Sequence, residues 1–218
     1  MRAKRTPKEL LRRYLLLGIG TVIMAFGVAF SIRAALGTSP ISSTPYVLSL
    51  ITPLSIGMTT IIVNAVLIAL QIVILRKQYD PIQLIQLPVI AIFGYMAEGA
   101  LWLTQGLLPA AYWQQWCLCL AGIALVAVGV SMEVVADVVV MPGEGLVLAI
   151  CKKWPIRFST MKVIMDASLV LCAVILSLVF LGRLAGVREG TVAAAILVGL
   201  LVRQINKPMK KLDKWFCA

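Results

Sequence analysis

Acidic side chains are the first candidates for chemistry in this otherwise apolar chain. Glu133 and Asp137 are four residues apart, so on a helix they share one face. Two carboxylates held close together in a low dielectric repel each other, which favours proton binding by one of them. The spacing therefore indicates a proton-carrying pair. The alternative is that a basic side chain, Arg33 or Lys162, neutralises the two carboxylates.

A third acid, Glu144, lies two residues after Pro142. In the first turn of a helix it would face free backbone N–H groups and the positive end of the helix dipole. It either stabilises that dipole or binds a substrate or a coupling ion. The matching turn earlier in the chain is rich in hydroxyls, at Thr38, Ser39 and Ser42. These hydroxyls either cap their helix, which we favour, or bind a solute or an anion.

The remaining charged candidates are placed so that they could form ion pairs. Lys162 and Asp166 are four residues apart, which favours an internal ion pair over an Asp166 that is freed when a proton or cation binds. Asn64 occupies the position equivalent to Asp166 in the first half and keeps the polar shape without the charge. For Glu98 we predict a structural ion pair with Arg203, near the ends of the two halves.

The sequence lacks the patterns of known catalytic and metal sites. It has no histidine, and its five cysteines show no CxxC spacing, so we expect no metal and no cofactor. No nucleophile motif or phosphate-binding loop is present, and we expect no enzyme. The net charge of +11 is concentrated at the two ends of the chain. Basic clusters beside apolar spans are typical of topology signals rather than of a nucleic-acid surface.

The elements that would position these residues are membrane helices. Hydrophobic residues make up 61% and charged residues 13%, with a mean hydropathy of +0.99, against roughly 45–50% and about 25% in soluble domains. A span needs about 20 apolar residues. The sequence predicts spans over Tyr14–Ala35, Gly57–Leu75, Pro81–Leu103, Cys117–Val140, Ser159–Leu181 and Gly190–Val202, the last extending toward Gln204.

Two apolar segments are too short to span. Ile41–Thr52 and Gly143–Trp154 each have 12 residues, about 18 Å of helix against a hydrocarbon core of about 30 Å. Each lies between two prolines, which suit a helix start and obstruct its continuation. We predict half-helices that enter the membrane and turn back, or short buried helices.

The chain also repeats itself. A shift of 102 residues aligns Gly20 with Gly122, Gly27 with Gly129, Pro40 with Pro142 and Pro53 with Pro155. The pattern predicts two repeats of long helix, half-helix, long helix and long helix. We divide the chain into a basic N-terminus at 1–13, a first repeat at 14–104, a loop at 105–115, a second repeat at 116–204 and a basic C-terminus at 205–218.

The distribution of basic residues indicates which loops lie on the cytoplasmic side of the membrane. With re-entrant half-helices the chain crosses six times, the repeats are inverted, and both termini and most Lys and Arg residues lie in the cytoplasm. With spanning half-helices the repeats are parallel, and Arg76 and Lys77 move outside. The positive-inside rule favours the first arrangement.

Two short motifs carry a family resemblance. The runs Leu36-Gly37-Thr38-Ser39-Pro40 and Leu54-Ser55-Ile56-Gly57 resemble the YczE/YyaS/YitT family of bacterial membrane proteins. Chain length and helix count resemble that family too, and the lack of a soluble C-terminal domain is closer to the YczE branch. The resemblance implies a protein of the bacterial inner membrane and implies no particular activity.

The sequence is compatible with two functions. Broken helices in a duplicated membrane protein favour a secondary transporter or channel for a small polar or charged solute, with a proton or cation bound by the acids. The alternative is a non-transporting scaffold or accessory protein whose basic ends dock a cytoplasmic partner. Besides the lipid bilayer and the solute we expect no nucleic-acid partner, and a homo-oligomer stays open.

Overall fold

The computed structural model describes the backbone of residues 6–216 and the side chains of residues 6–209. The first five residues, the last two, and the side chains from 210 onward lie outside it, so much of both basic ends is not described. Throughout the described part the chain is all α-helical, apart from turns and two short 3-10 helices over Arg76–Gln78 and Pro81–Ile85. The helices are α1 (Pro7–Arg33), α2 (Pro40–Ile51), α3 (Ile56–Leu75), α4 (Gln86–Leu103), α5 (Tyr112–Ala136), α6 (Pro142–Lys153), α7 (Phe158–Leu181) and α8 (Glu189–Phe216).

Six of these helices are long and apolar enough to cross a membrane, namely α1, α3, α4, α5, α7 and α8. The two short helices, α2 and α6, have 12 residues each and begin at a proline. These elements match the predicted spans and half-helices closely. The largest differences are that α1 begins at Pro7, capped by the Thr6 hydroxyl, and that α8 continues to Phe216. Helix α5 begins at Tyr112 and ends at Ala136 instead of spanning Cys117–Val140.

The centre of the fold is the crossing of α1 and α5. A Cβ atom on Gly27 would lie 2.8 Å from the Gly122 carbonyl oxygen, and one on Gly129 would lie 2.6 Å from the Gly20 carbonyl oxygen. Positions that rise along α1 therefore fall along α5, and the two helices run antiparallel. Such close backbone approach requires glycine at both crossing points.

Other contacts give the directions of α3 and α4. We call the side on which α1 begins the proximal side and the side on which it ends the distal side. Arg33 at the end of α1 donates to the Leu101 carbonyl near the end of α4, so α1 and α4 are parallel. Gln71 near the end of α3 bonds Gln86 at the start of α4. Helix α3 is therefore antiparallel to both and ends on the proximal side.

The short helix α6 returns to the side from which the chain enters. Helix α5 ends proximally, where Arg13 of α1 donates to the Ala136 carbonyl at 3.1 Å. Helix α6 ends beside the last turn of α3, since Lys153 donates to the Ile74 carbonyl at 3.4 Å. Because both ends of this stretch are proximal, residues 137–153 form a re-entrant hairpin.

The short helix α2 also belongs to a re-entrant hairpin, which begins and ends on the distal side. The chain leaves α1 at its distal end, and Gly57 in the first turn of α3 lies against Gly94 at the middle of α4 and Glu98 in its distal half. The two half-helices meet at their N-termini, where a Cβ on Gly143 would collide with the Ile41 side chain. Corresponding elements of the two halves thus occur in the same order and in opposite orientation.

The long helices differ in how deeply they are buried. Buried residues of α1, α4 and α5, such as Met24, Phe93 and Val126, form the largest apolar cluster. Helices α7 and α8 are mostly exposed and carry many large apolar side chains outward. In a membrane protein such a surface faces lipid.

Candidate functional site

A cavity of about 310 Å³ lies where the two half-helices meet. Apolar side chains of α1, α4, α5 and α8 form most of its wall. Its polar lining comes from α2, α3, α5, α6 and α7 and from the residue that precedes α2. This polar group comprises Ser39, Ser42, Thr60, Asn64, Glu133, Glu144, Lys162 and Asp166.

Two carboxylates that form no ion pair within the described part of the chain, those of Glu133 and Glu144, line this cavity. Glu133 is only 7% exposed. Its carboxylate accepts a hydrogen bond from the Met141 backbone N–H, and the Glu144 carboxylate adds like charge to its surroundings. Burying a carboxylate without a cation is costly, so this arrangement favours the entry of a proton or a cationic ligand.

The predicted pairing of Glu133 with Asp137 is wrong. Helix α5 ends at Ala136, and Asp137 adopts a left-handed conformation with φ of 46°. Because the helix stops before the second acid, the shared face is lost, and Asp137 is exposed. The re-entrant hairpin brings Glu144 to Glu133 in its place.

The internal ion pair of α7 is confirmed. Lys162 Nζ lies 3.0 Å from Asp166 Oδ1, and both side chains are partly buried against the cavity. The equivalent residue of the first half, Asn64, is 7% exposed and also lines the cavity. Its amide nitrogen donates to the Thr60 carbonyl at 2.8 Å, which leaves the amide oxygen free to accept a hydrogen bond from a ligand.

The hydroxyls that precede and begin α2 divide between two roles. Ser39 is the N-cap residue of α2, but its side chain makes no capping bond and instead donates to Ser42 Oγ at 3.0 Å. Both serines line the cavity. Thr38 does not, because its backbone N–H and its hydroxyl point to the Gly186 carbonyl in the α7–α8 loop.

Two predicted charge-pair residues lie away from the cavity. Arg33 bonds the Leu101 carbonyl at the distal ends of α1 and α4, and so it does not neutralise Glu133. Glu98 lies beside Gly57 of α3, and no ion pair joins it to Arg203, which is exposed on α8. The predicted Glu98–Arg203 bridge is absent because the two residues lie at different depths. Helix α8 begins distally, where the Gly190 N–H donates to the Leu36 carbonyl, so Arg203 lies toward the proximal side, whereas Glu98 lies beside the distal start of α3.

Two buried glutamines that were not among the predicted site residues hold the second half-helix. Gln71 is fully buried, and its Nε2 donates to the Pro142 carbonyl at 2.9 Å and to Gln86 Oε1 at 3.3 Å. It thereby fixes the first residue of α6, two positions before Glu144. Two neutral residues at no distinctive spacing do not predict a contact. The only indication in the sequence is that each glutamine lies near the end of an apolar span.

The polar lining of the cavity is rich in oxygen atoms that can accept hydrogen bonds. It presents the unpaired carboxylates of Glu133 and Glu144, the Asn64 amide oxygen and the Ser42 hydroxyl within apolar walls. Within the described part of the chain, no group of three or more acidic or cysteine side chains is arranged to hold a metal ion.

The fold and this cavity define a class, the multi-pass helical membrane proteins with re-entrant half-helices that meet at a central cavity. Within that class, the chain belongs to the family of unknown function DUF6198, whose model matches residues 11–207. No curated protein and no solved structure matches the chain.

Proposed function

We propose that the protein is a secondary transporter for a small polar or charged solute. The observation that carries the proposal is the Glu133 carboxylate, 7% exposed and unpaired, which faces a cavity at the meeting point of two re-entrant helices. Ionisable groups at membrane depth are costly and mark substrate or proton pathways. Transporters of inverted architecture place their sites where broken helices meet.

In this proposal the carboxylates of Glu133 and Glu144 exchange a proton or a cation for the solute. The Lys162–Asp166 pair shapes the opposite wall, and the backbone around Pro142 holds Glu144 in place. The protein lies in the bacterial cytoplasmic membrane with both termini in the cytoplasm, which agrees with the basic ends of the chain. The motifs around Pro40 and Gly57 support a relation to the YczE branch of membrane proteins.

The test is a proton-flux assay on proteoliposomes that contain a pH-sensitive dye. A panel of amines, amino acids, sugars, organic anions and inorganic cations is added in turn, and coupled proton movement identifies a substrate. We expect Glu133→Gln and Glu144→Gln to abolish the flux. Asp80→Asn is the matched control, since Asp80 is an exposed helix-capping carboxylate far from the cavity and asparagine caps equally well.

Two outcomes would contradict transport. One is normal flux in both glutamine variants. The other is a folded protein that moves no proton or charge with any compound on the panel, which would favour the scaffold function. In that case, removal of residues 1–8 or 213–218 would abolish the cellular function, and neutralisation of Glu144 or Asp166 would be tolerated.

A further inference from the structure

The helices that enclose the cavity are packed less closely in the second half than in the first. In the first half, α3 packs closely on α4, with Gly57 and Gly94 in backbone contact. In the second half, the described parts of α7 and α8 share almost no contact, although residues of both helices line the cavity. Val163 on α7 is 68% exposed, and no atom lies within 4 Å of a Cβ built on Gly199 of α8.

The polar end of the cavity selects by charge. Three carboxylates and one ammonium line it, and the ammonium of Lys162 is already paired with Asp166. Glu133 and Glu144 are left without a cation. A ligand with a positive charge and no attached anion complements this lining, whereas a phosphate or carboxylate group would face like charge.

The same end also selects by hydrogen bonding. An ionised carboxylate only accepts hydrogen bonds. The Asn64 amide is oriented by the bond from its nitrogen to Thr60, so its oxygen is directed to the ligand, and the side chain is nine-tenths buried. An ammonium with N–H groups can satisfy these acceptors. A quaternary ammonium has no N–H to donate and leaves the acceptors unsatisfied, which costs binding free energy.

The rest of the wall is apolar, from residues such as Met24, Phe93, Val126 and Val198. Such a wall suits the hydrocarbon part of an amphipathic molecule. We propose that the cavity binds a protonated amphipathic amine, which enters from the bilayer between α7 and α8. This assignment rests on the proposed transport function for its physiological meaning, but binding itself can be measured without transport.

The test measures binding of radiolabelled 4-phenylbutylamine to the full chain in phosphatidylcholine nanodiscs by scintillation proximity, at neutral pH. Unlabelled 4-phenylbutanol and the N,N,N-trimethyl analogue of the amine serve as competitors. We expect the amine to compete at least about tenfold more strongly than either, the advantage expected of charge-assisted hydrogen bonds. Equal competition by the alcohol or by the quaternary analogue would overturn the assignment.

Two sets of variants locate the binding. Glu133→Gln and Glu144→Gln should each weaken amine binding by about 10- to 100-fold. Gly199→Trp should block entry, because its side chain extends into the open gap. Gly99→Trp is the matched control, since Gly99 also has no atom within 4 Å but does not line the cavity. Unchanged binding in the glutamine variants, or equal binding in the two tryptophan variants, would overturn the site or the entry route respectively.

A last arm excludes a lipid headgroup as the source of the amine. Nanodiscs that contain phosphatidylethanolamine should bind 4-phenylbutylamine as tightly as those of phosphatidylcholine, and competition by that lipid would contradict the selection against attached anions. The experiments distinguish a wrong amine assignment from a wrong transport proposal. Amine binding without coupled flux would count against transport alone, whereas Glu133-dependent flux of another solute without amine binding would overturn the amine assignment alone.

Discussion

Replacement of Gly129 by alanine tests whether the α1–α5 crossing sustains the fold. The added Cβ would lie 2.6 Å from the Gly20 carbonyl oxygen and 2.8 Å from the Met24 Cβ. The first distance is about 0.8 Å shorter than the 3.4 Å at which ordinary contact begins. Backbone atoms cannot rotate away as the end of a side chain can, so the two helices must move apart.

The size of the effect follows from a comparison with Gly18→Ala on α1. Gly18 has no atom within 4 Å of its Cβ position, so alanine there adds helix propensity of about 1 kcal/mol without a clash. The same propensity gain applies at Gly129 and cancels in the difference between the variants. Overpacking costs typically 1–3 kcal/mol. Since the clash involves backbone, we expect Gly129→Ala to be about 2–3 kcal/mol less stable than Gly18→Ala.

The assay is equilibrium unfolding in mixed micelles by increasing mole fraction of sodium dodecyl sulfate, followed by tryptophan fluorescence. The expected difference corresponds to about 30- to 150-fold in the unfolding equilibrium constant. Equal stability of the two variants would refute the tight crossing and, with it, the antiparallel arrangement of α1 and α5 that we infer from the glycine contacts.

Two further predictions concern the half-helices. Gln71→Leu should destabilise the protein by about 1–3 kcal/mol, because the buried Pro142 carbonyl loses its donor, whereas a melting temperature equal to that of the unmodified protein would show that Gln71 does not anchor α6. In a variant without native cysteines, Leu108→Cys should react with a membrane-impermeant thiol reagent on intact bacterial cells, and Gln78→Cys should react only after lysis. Both positions are exposed, Gln78 in the segment before α4 and Leu108 in the segment after it, so labelling of both from the same side would contradict the re-entrant topology.

Much of the fold could be predicted from the sequence because prolines and long apolar runs mark helix ends in a membrane directly. Pro40 and Pro142 begin the two half-helices, as expected. The end of α5 could not be predicted in the same way. An apolar valine run continues past Ala136, and only the left-handed conformation of Asp137 shows that the chain turns back there.

The site was predicted in part for a related reason. Spacing of four residues correctly pairs Lys162 with Asp166, since both lie inside one uninterrupted helix. The same rule fails for Glu133, whose neighbour Glu144 lies on another helix and is brought close by the fold. The Gln71–Pro142 bond joins residues 71 positions apart, and no local pattern reports such a contact.

The unequal closure of the two halves has a mechanical consequence. Gly94 on α4 and Gly199 on α8 correspond when the last helices of the halves are aligned at a shift of 105. The first is clamped against α3, and the second stands in open space. The equivalent helix pair is therefore packed together in the first half and separated in the second, among the described residues. If the second half packed in the manner of the first, Gly199 would lie against Ser159, which corresponds to Gly57 at a shift of 102, and the proposed entry between α7 and α8 would be closed.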